Sequence, residues 1–322
     1  MMKAVIQNEF GDSNVLKYTD VVKPVLGEGE VLIRTAFTSV NFADIKNRTG
    51  KKDKGNFPMV LGLDIAGTIE EVGENSSFSK GDRVIAFPKN GSYAEYVVAT
   101  EALVYKIPDA LSFEIAATFP TVAILSYILI HEIGQVREKD TVVIHSAAGG
   151  VGSMLVQLAK LAKVKRIIGV VGNFDKEAYV KELGADVVTT YDTFVETVLN
   201  LTDGEGANVI FDSVAGDVTS QSMECLAFYG TLVQFGNSSG KAGHFKTSDV
   251  HSSCRNVKGF SLGTTRIHHP ERLKSVAEKV CKLFEEDLLK LPIARIFELC
   301  DAPKAHDLME SRQYQGKILL KV

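Results

Sequence analysis

Residues Val142-Val143-Ile144-His145-Ser146-Ala147-Ala148-Gly149-Gly150-Val151-Gly152 set the strongest limit on how this chain can fold. An apolar, β-branched run ends in a glycine loop, and the loop opens at once into a helical pattern over residues 151–163. A strand that feeds a helix through glycines belongs to a βαβ unit, and so to a parallel sheet. The same order is what a dinucleotide pyrophosphate requires. Glycines let the phosphates approach the backbone, and the helix N-terminus offers unpaired N–H groups and a partial positive charge. Ala147 stands where the strict fingerprint has its first glycine. It is small enough for the turn, and Gly149 and Gly152 keep the spacing.

Strand–helix alternation continues downstream. Strands are expected at residues 166–171, 186–190, 208–213, 230–235 and 257–263, with helices at 175–183, 194–201 and 218–227. This predicts an α/β unit with a doubly wound, Rossmann-type parallel sheet. The chain before it reads as short strands at residues 3–7, 30–37, 64–72, 83–87 and 93–99, punctuated by Gly27-Glu28-Gly29, Gly73-Glu74-Asn75 and Lys80-Gly81-Asp82. Val31, Ile33 and Ala36 do not alternate cleanly, so some of these strands are expected to be buried on both faces. Residues 270–287 carry an apolar stripe (Leu273, Val276, Ala277, Val280, Phe284) at helical spacing, and residues 316–320 read as a closing strand. A length of 322 residues fits two domains. The expected cofactor domain spans residues 119–264, inserted between two pieces, 1–118 and 265–322, of a β-rich domain.

A net charge of −4 without any basic block argues against a nucleic acid or a membrane surface as partner. The longest apolar stretch, residues 122–130, is broken by Ser126 and Tyr127 and is too short to span a bilayer. The strand pattern begins at Lys3, so no signal peptide is expected. Cys225, Cys254, Cys281 and Cys300 form no metal-type pair and read as reduced thiols of a cytoplasmic protein.

The second strand of the parallel unit ends in Gly172-Asn173, where NAD specificity calls for a carboxylate on the adenosine ribose. Its absence removes repulsion against a 2′-phosphate. Lys176 follows three residues later and Tyr191 follows the third strand, a cation and a phenol suited to that phosphate. The expected cofactor is NADPH.

Several segments together resemble the medium-chain dehydrogenase/reductase superfamily across essentially the whole chain. They are Gly62-Leu63-Asp64-Ile65-Ala66-Gly67, Gly81-Asp82-Arg83-Val84 and the loop at residues 147–152. The resemblance implies a GroES-like β-rich catalytic domain joined to the Rossmann domain. Where zinc alcohol dehydrogenases of that superfamily place Cys, His and Cys on catalytic zinc, this chain has Asn41, Leu63 and Thr121, and no metal site is expected. Asn41-Phe42-Ala43-Asp44, Phe211-Asp212-Ser213-Val214 and Phe235-Gly236-Asn237-Ser238-Ser239-Gly240 look like segments of the zinc-free, NADPH-using quinone oxidoreductases. That resemblance places Asn41 near the nicotinamide ribose, Ser213 with Phe235, Gly236 and Asn237 along the nicotinamide half, and Lys176 and Tyr191 on the 2′-phosphate. The cradle itself comprises Ala148, Gly149, Gly150, Val151 and Gly152, followed by Gly172 and Asn173. A homodimer is also implied, with residues 230–236 and 257–263 at its interface. Two departures stand out: Lys46 where the family often has an aromatic residue facing the substrate, and Leu125 where it has threonine.

Asn41, Asp44 and Lys46 are the candidate catalytic residues. Asp44 and Arg48 are placed either to form a salt bridge framing the cleft or to act on the substrate, Phe42 and Phe57 to line core or cleft, His131 to sit in core or at a cap, and His145 to pack at its strand end. Hydride transfer to a quinone gives a resonance-stabilised quinolate, which needs no metal, and an enone serves similarly. A simple ketone would need a Lewis acid or proton donor. The expected activity is zinc-independent reduction of a quinone or related enone. The alternatives are an enone or enoyl-thioester reductase, or a non-catalytic NADPH-binding or structural protein of the same fold.

Overall fold

The structure, a computed structural model, describes residues 1–52 and 55–322. The chain folds as two units, Met1–Ile124 with Arg266–Val322, and Leu125–Thr265.

In the second unit six parallel strands lie in the order Val187–Thr190, Arg166–Val171, Thr141–His145, Ala207–Asp212, Leu226–Gln234 and Asn256–Gly259. The chain starts in the middle, runs to one edge, then returns to build the other half, which is the doubly wound order. Strand Thr141–His145 is buried throughout, as a central parallel strand covered on both faces must be. Val143, Ile168, Val170 and Ile210 pack with Phe194, Val198 and Met223 in one cluster. Two expectations change here. Residues 257–263 are not one strand: the strand is Asn256–Gly259, and helix Leu262–His268 follows. The helix expected over residues 218–227 ends at Glu224, because Leu226 and Ala227 already belong to strand Leu226–Gln234.

The first unit is built on a sheet in the order Ile293–Glu298, Lys317–Lys321, Glu30–Ser39, Ile65–Val72, Arg83–Ala86 and Val104–Lys106, with Tyr96–Thr100 also paired to Glu30–Ser39. Strand Glu30–Ser39 pairs with three others, and Val31, Leu32 and Ile33 are buried in succession, so both its faces are covered. A smaller sheet joins Lys17–Val21, Met2–Gln7 and Met59–Val60. Helix Phe42–Arg48 begins at Asn41, whose backbone N–H donates to Asp44 Oδ2 at 2.8 Å. Asp44 in the first turn and Lys46 and Arg48 in the last turn complement the helix dipole. Helix Ala302–Ser311 connects the parallel strands Ile293–Glu298 and Lys317–Lys321. Its Ala302, Ala305 and Met309 share a core with Val5, Val40, Ile45 and Ile318. Among the described residues no helix is long and apolar enough to cross a membrane.

Candidate functional site

In the second unit the reversal of strand order falls between Thr141–His145 and Ala207–Asp212, and the carboxyl ends of those two strands carry the glycine loop and Ser213. Ser146 sits at φ 53°, a left-handed conformation that few non-glycine residues adopt. Its N–H donates to Tyr191 Oη at 2.9 Å, and its Oγ lies 3.2 Å from the same oxygen. Ser213 Oγ donates to Ser146 Oγ at 3.3 Å, so the reversal point is spanned by a serine pair. Sequence reasoning missed Ser146 as the hub, since a lone serine after a strand carries no distinctive signal.

Helix Gly150–Leu161 starts immediately after this turn, with extended Gly149 at its N-cap and no side chain on its first amides. A Cβ on Gly152 would stand 2.2 Å from Ser146 O and 2.7 Å from Ala147 Cα, so only glycine lets helix and loop pack this closely. Ala148 and Gly152 are buried, Gly150 and Val151 half-buried, and Gly149 exposed. Gly172 and Asn173 lie exposed beyond strand Arg166–Val171, with nothing within 4 Å of a Cβ placed on Gly172. Lys176 closes a 3-10 turn, Phe174–Lys176, and is half-buried. Phe235 N donates to Asp212 O and Ser238 N to Ser213 O, both at 3.0 Å, which holds residues 235–238 against the end of the neighbouring strand. Phe235 and Gly236 are half-buried and Asn237 exposed. Asp212, buried, fixes this turn: its Oδ1 accepts from Val214 N and Ala215 N, and its Oδ2 from Thr219 Oγ1. A glycine-walled loop, a bare helix N-terminus and open space after the second strand together suit a dinucleotide.

The first unit holds a separate, buried polar network. Asn41 is only 6% exposed. Its Nδ2 donates to Ser39 O, Ser39 Oγ and Asp64 Oδ1 at 3.2–3.3 Å, and its Oδ1 accepts from Lys317 Nζ at 2.8 Å. Asp64 also accepts from Ser39 Oγ at 2.6 Å and from Thr121 N at 3.0 Å. It thereby ties together Asn41 and Thr121. Among the described residues, no group of three or more His, Cys, Asp or Glu side chains could hold a metal ion. Leu63 O accepts from Arg266, whose guanidinium lies over the Phe87 ring.

Asp44 and Arg48 do not pair. The buried Asp44 accepts from Tyr93 Oη at 3.2 Å, while Arg48 donates to His306 Nδ1 at 3.1 Å and pairs with Glu310 at 2.8 Å. Arginine can only donate, so His306 Nδ1 is an acceptor and the proton of the neutral ring sits on Nε2, 3.0 Å from Tyr93 Oη. The donor direction is then set from Arg48 through His306 and Tyr93 to Asp44. Burial raises the Asp44 carboxyl to about 7. Lys46 is half-buried, its ammonium 5.9 Å from the Phe42 ring, and burial followed by the neighbouring Lys52 and Lys51 lowers its pKa. Phe42 and Phe57 are exposed rather than core, and so is His131, which packs against Tyr127. His145 does pack at its strand end: it is buried, bonded to Ser222 Oγ at 2.9 Å and stacked on Tyr191.

These buried groups give the fold a pH dependence. Burial pushes His306 down to about 3 and His145 to about 4. Between roughly pH 6.5 and 4 the unfolded chain binds two protons that the native chain does not, and stability falls as pH falls. Asp44 opposes this: from its ordinary 3.8 up to about 7 the native state holds a proton that the unfolded chain lacks, so its contribution falls as pH rises. Two histidines outweigh one carboxyl, leaving a loss of about 1.4 kcal/mol per pH unit from these three groups. The urea midpoint should therefore drop between pH 6.5 and 4.5. A midpoint that holds or climbs over that range contradicts the assignment.

The chain matches the zinc-binding dehydrogenase family model over residues 150–280 and the alcohol dehydrogenase GroES-like domain over residues 27–109. It is 33% identical to the quinone oxidoreductase of Pseudomonas aeruginosa over 99% of both chains. Identity to the probable quinone oxidoreductase of Schizosaccharomyces pombe is 31%, over 96% of this chain and 94% of the relative. The crystal structure of Escherichia coli quinone oxidoreductase complexed with NADPH superposes with a TM-score of 0.93 at 28% identity, covering 99% of this chain and 100% of that one.

Proposed function

Because the chain belongs to the quinone oxidoreductase-like members of the medium-chain dehydrogenase/reductase superfamily, we propose that it transfers hydride from NADPH to a quinone or related enone without zinc. The observation that carries the reading is the donor set at Asn41, Leu63 and Thr121. A carboxamide, an aliphatic side chain and a hydroxyl stand there, and the nearby Asp64 carboxylate already accepts from Ser39, Asn41 and Thr121. Such a set has no thiolate or imidazole for zinc. The acceptor must then manage its own developing charge, as a quinone does.

When bound, NADPH supplies the hydride. The protein's share is to hold and orient it. Residues 148–152 receive the pyrophosphate on the first turn of helix Gly150–Leu161, and Ser213, Phe235, Gly236 and Asn237 line the nicotinamide half. Lys176 and Tyr191 receive the 2′-phosphate, with Tyr191 already anchored on Ser146. Asn41, Asp44 and Lys46 serve the reaction from the first unit. We also place a homodimer contact on the edge strand Asn256–Gly259, beside Phe228 and Tyr229, which are 71% and 76% exposed.

NADPH oxidation measured against a panel of quinones, enones and acyl thioesters tests this reading. Fastest turnover with a quinone is expected. A preference for an acyl thioester would make the protein an enoyl-thioester reductase, and tight NADPH binding with no turnover would make it a binding protein. Lys176→Ala should weaken NADPH by about thirtyfold, the worth of a charge-assisted bond of roughly 2 kcal/mol, and leave NADH within about twofold. Equal losses for both cofactors would defeat the 2′-phosphate assignment.

A further inference from the structure

Lys317 has no role in the reading above, yet its placement is costly. It is 4% exposed, on a strand whose next three residues, Ile318, Leu319 and Leu320, are fully buried apolar side chains. An aliphatic side chain could fill the same space without desolvating an ammonium group. The ammonium instead donates to two neutral oxygens, Val40 O at 3.1 Å and Asn41 Oδ1 at 2.8 Å. Burial lowers its pKa, and Asp64 followed by Asp44 resist that shift.

The consequence falls on Asn41. A carboxamide can turn by 180° and exchange its oxygen for its nitrogen. Lys317 can only donate, so it demands the oxygen. Asp64 Oδ1 and Ser39 O can only accept, so they demand the nitrogen. The two sides agree and leave one orientation. Both Nδ2 hydrogens then point at Ser39 and Asp64, and Oδ1 is the acceptor end, turned toward Lys317.

We propose that Lys317 is a positioning residue for the reduction: it locks the Asn41 carboxamide with Oδ1 turned to Lys317 and Nδ2 to Ser39 and Asp64, the one orientation in which this side chain serves the reaction. Asp64 completes the lock from the nitrogen side. The proposal rests on the reading of the chain as an NADPH-dependent reductase with Asn41 at the cofactor.

A double-mutant cycle tests it, with kcat/KM for NADPH oxidation as the main readout. Lys317→Met and Asn41→Ala should each lower kcat/KM about tenfold, and the double variant should be no worse than Asn41→Ala alone, because Lys317 acts only through that amide. A purely structural lysine would add its loss to that of any other substitution. Losses that multiply toward a hundredfold, or a Lys317→Met enzyme with unchanged kcat/KM, overturn the proposal. If Lys317→Met does not accumulate as folded protein, Asp64→Asn runs the same cycle from the other end of the amide, with the same two outcomes. Failure of the underlying reading is seen separately, as unvaried protein that binds no NADPH or turns over no acceptor.

Discussion

Replacing Gly152 with valine should raise the NADPH dissociation constant at least a hundredfold, about 2.7 kcal/mol or more, in a fluorescence titration. The side chain meets backbone rather than a movable neighbour: Ser146 O at 2.2 Å and Ala147 Cα at 2.7 Å. Ser146 cannot retreat cheaply. Its N–H is held by Tyr191, its Oγ is bonded to Ser213, its carbonyl accepts from Gly149 N at 2.8 Å, and its φ already lies in the left-handed region. The first turn of helix Gly150–Leu161 must therefore move away from the loop, and its amides leave the position proposed for the pyrophosphate contact. Overpacking of this kind also costs about 1–3 kcal/mol of stability. Gly172→Ala is the contrast, since nothing lies within 4 Å of its Cβ, and it should leave the unfolding midpoint unchanged. A Gly152→Val protein that binds NADPH normally would remove the loop from the cofactor site.

The second large effect is expected at Arg48, whose side chain is 1% exposed. Arg48→Met keeps much of the apolar stem but deletes the donors to Gly11 O and His306 Nδ1 and the pairing with Glu310. A buried imidazole nitrogen and a carbonyl lose their partner, at a cost of about 3 kcal/mol in total. The thermal midpoint should fall by roughly 6–12 °C. Glu310→Gln removes the same ion pair from its exposed side and should cost less than about 1 kcal/mol. Equal losses for the two substitutions would show that the ion pair, not the histidine contact, carries the energy. Arg48 is also one of the causes that lower the His306 pKa, so the acid sensitivity should weaken in Arg48→Met.

The parallel unit was readable because its signals are local. The central strands, such as Thr141–His145 and Arg166–Val171, are short apolar runs, and helices such as Gly150–Leu161 carry their apolar stripe within a few residues. Helix Leu262–His268 escaped because Gly263, Thr264 and Thr265 are weak helix formers, and Val257, Phe260 and Leu262 just before them read as a continuing strand. The glycine loop could be read for the same local reason, and the burial of Gly152 against Ser146 supplies its geometry. The polar network of the first unit could not be read. Asp44 and Arg48 have the i, i+4 spacing of a helix salt bridge, yet Tyr93 captures one and His306 the other. No window of sequence contains all four residues. Lys317 had even less signal, since a lysine after a glycine near a closing strand reads as a solvated residue until Asn41 is found beside it.

The inserted second unit, Leu125–Thr265, has a consequence for the order of assembly. Arg48 waits for a partner 258 residues further along the chain, and Asn41 for one 276 residues further. At a translation rate of roughly 5–20 residues per second, about 13–50 s separate Arg48 from His306 on the ribosome. The nucleotide unit is contiguous and can close during that interval. The unit that was synthesised first must finish last: the Arg48 guanidinium waits for His306 and Glu310 on helix Ala302–Ser311, and the Asn41 carboxamide oxygen for Lys317 on the strand after it.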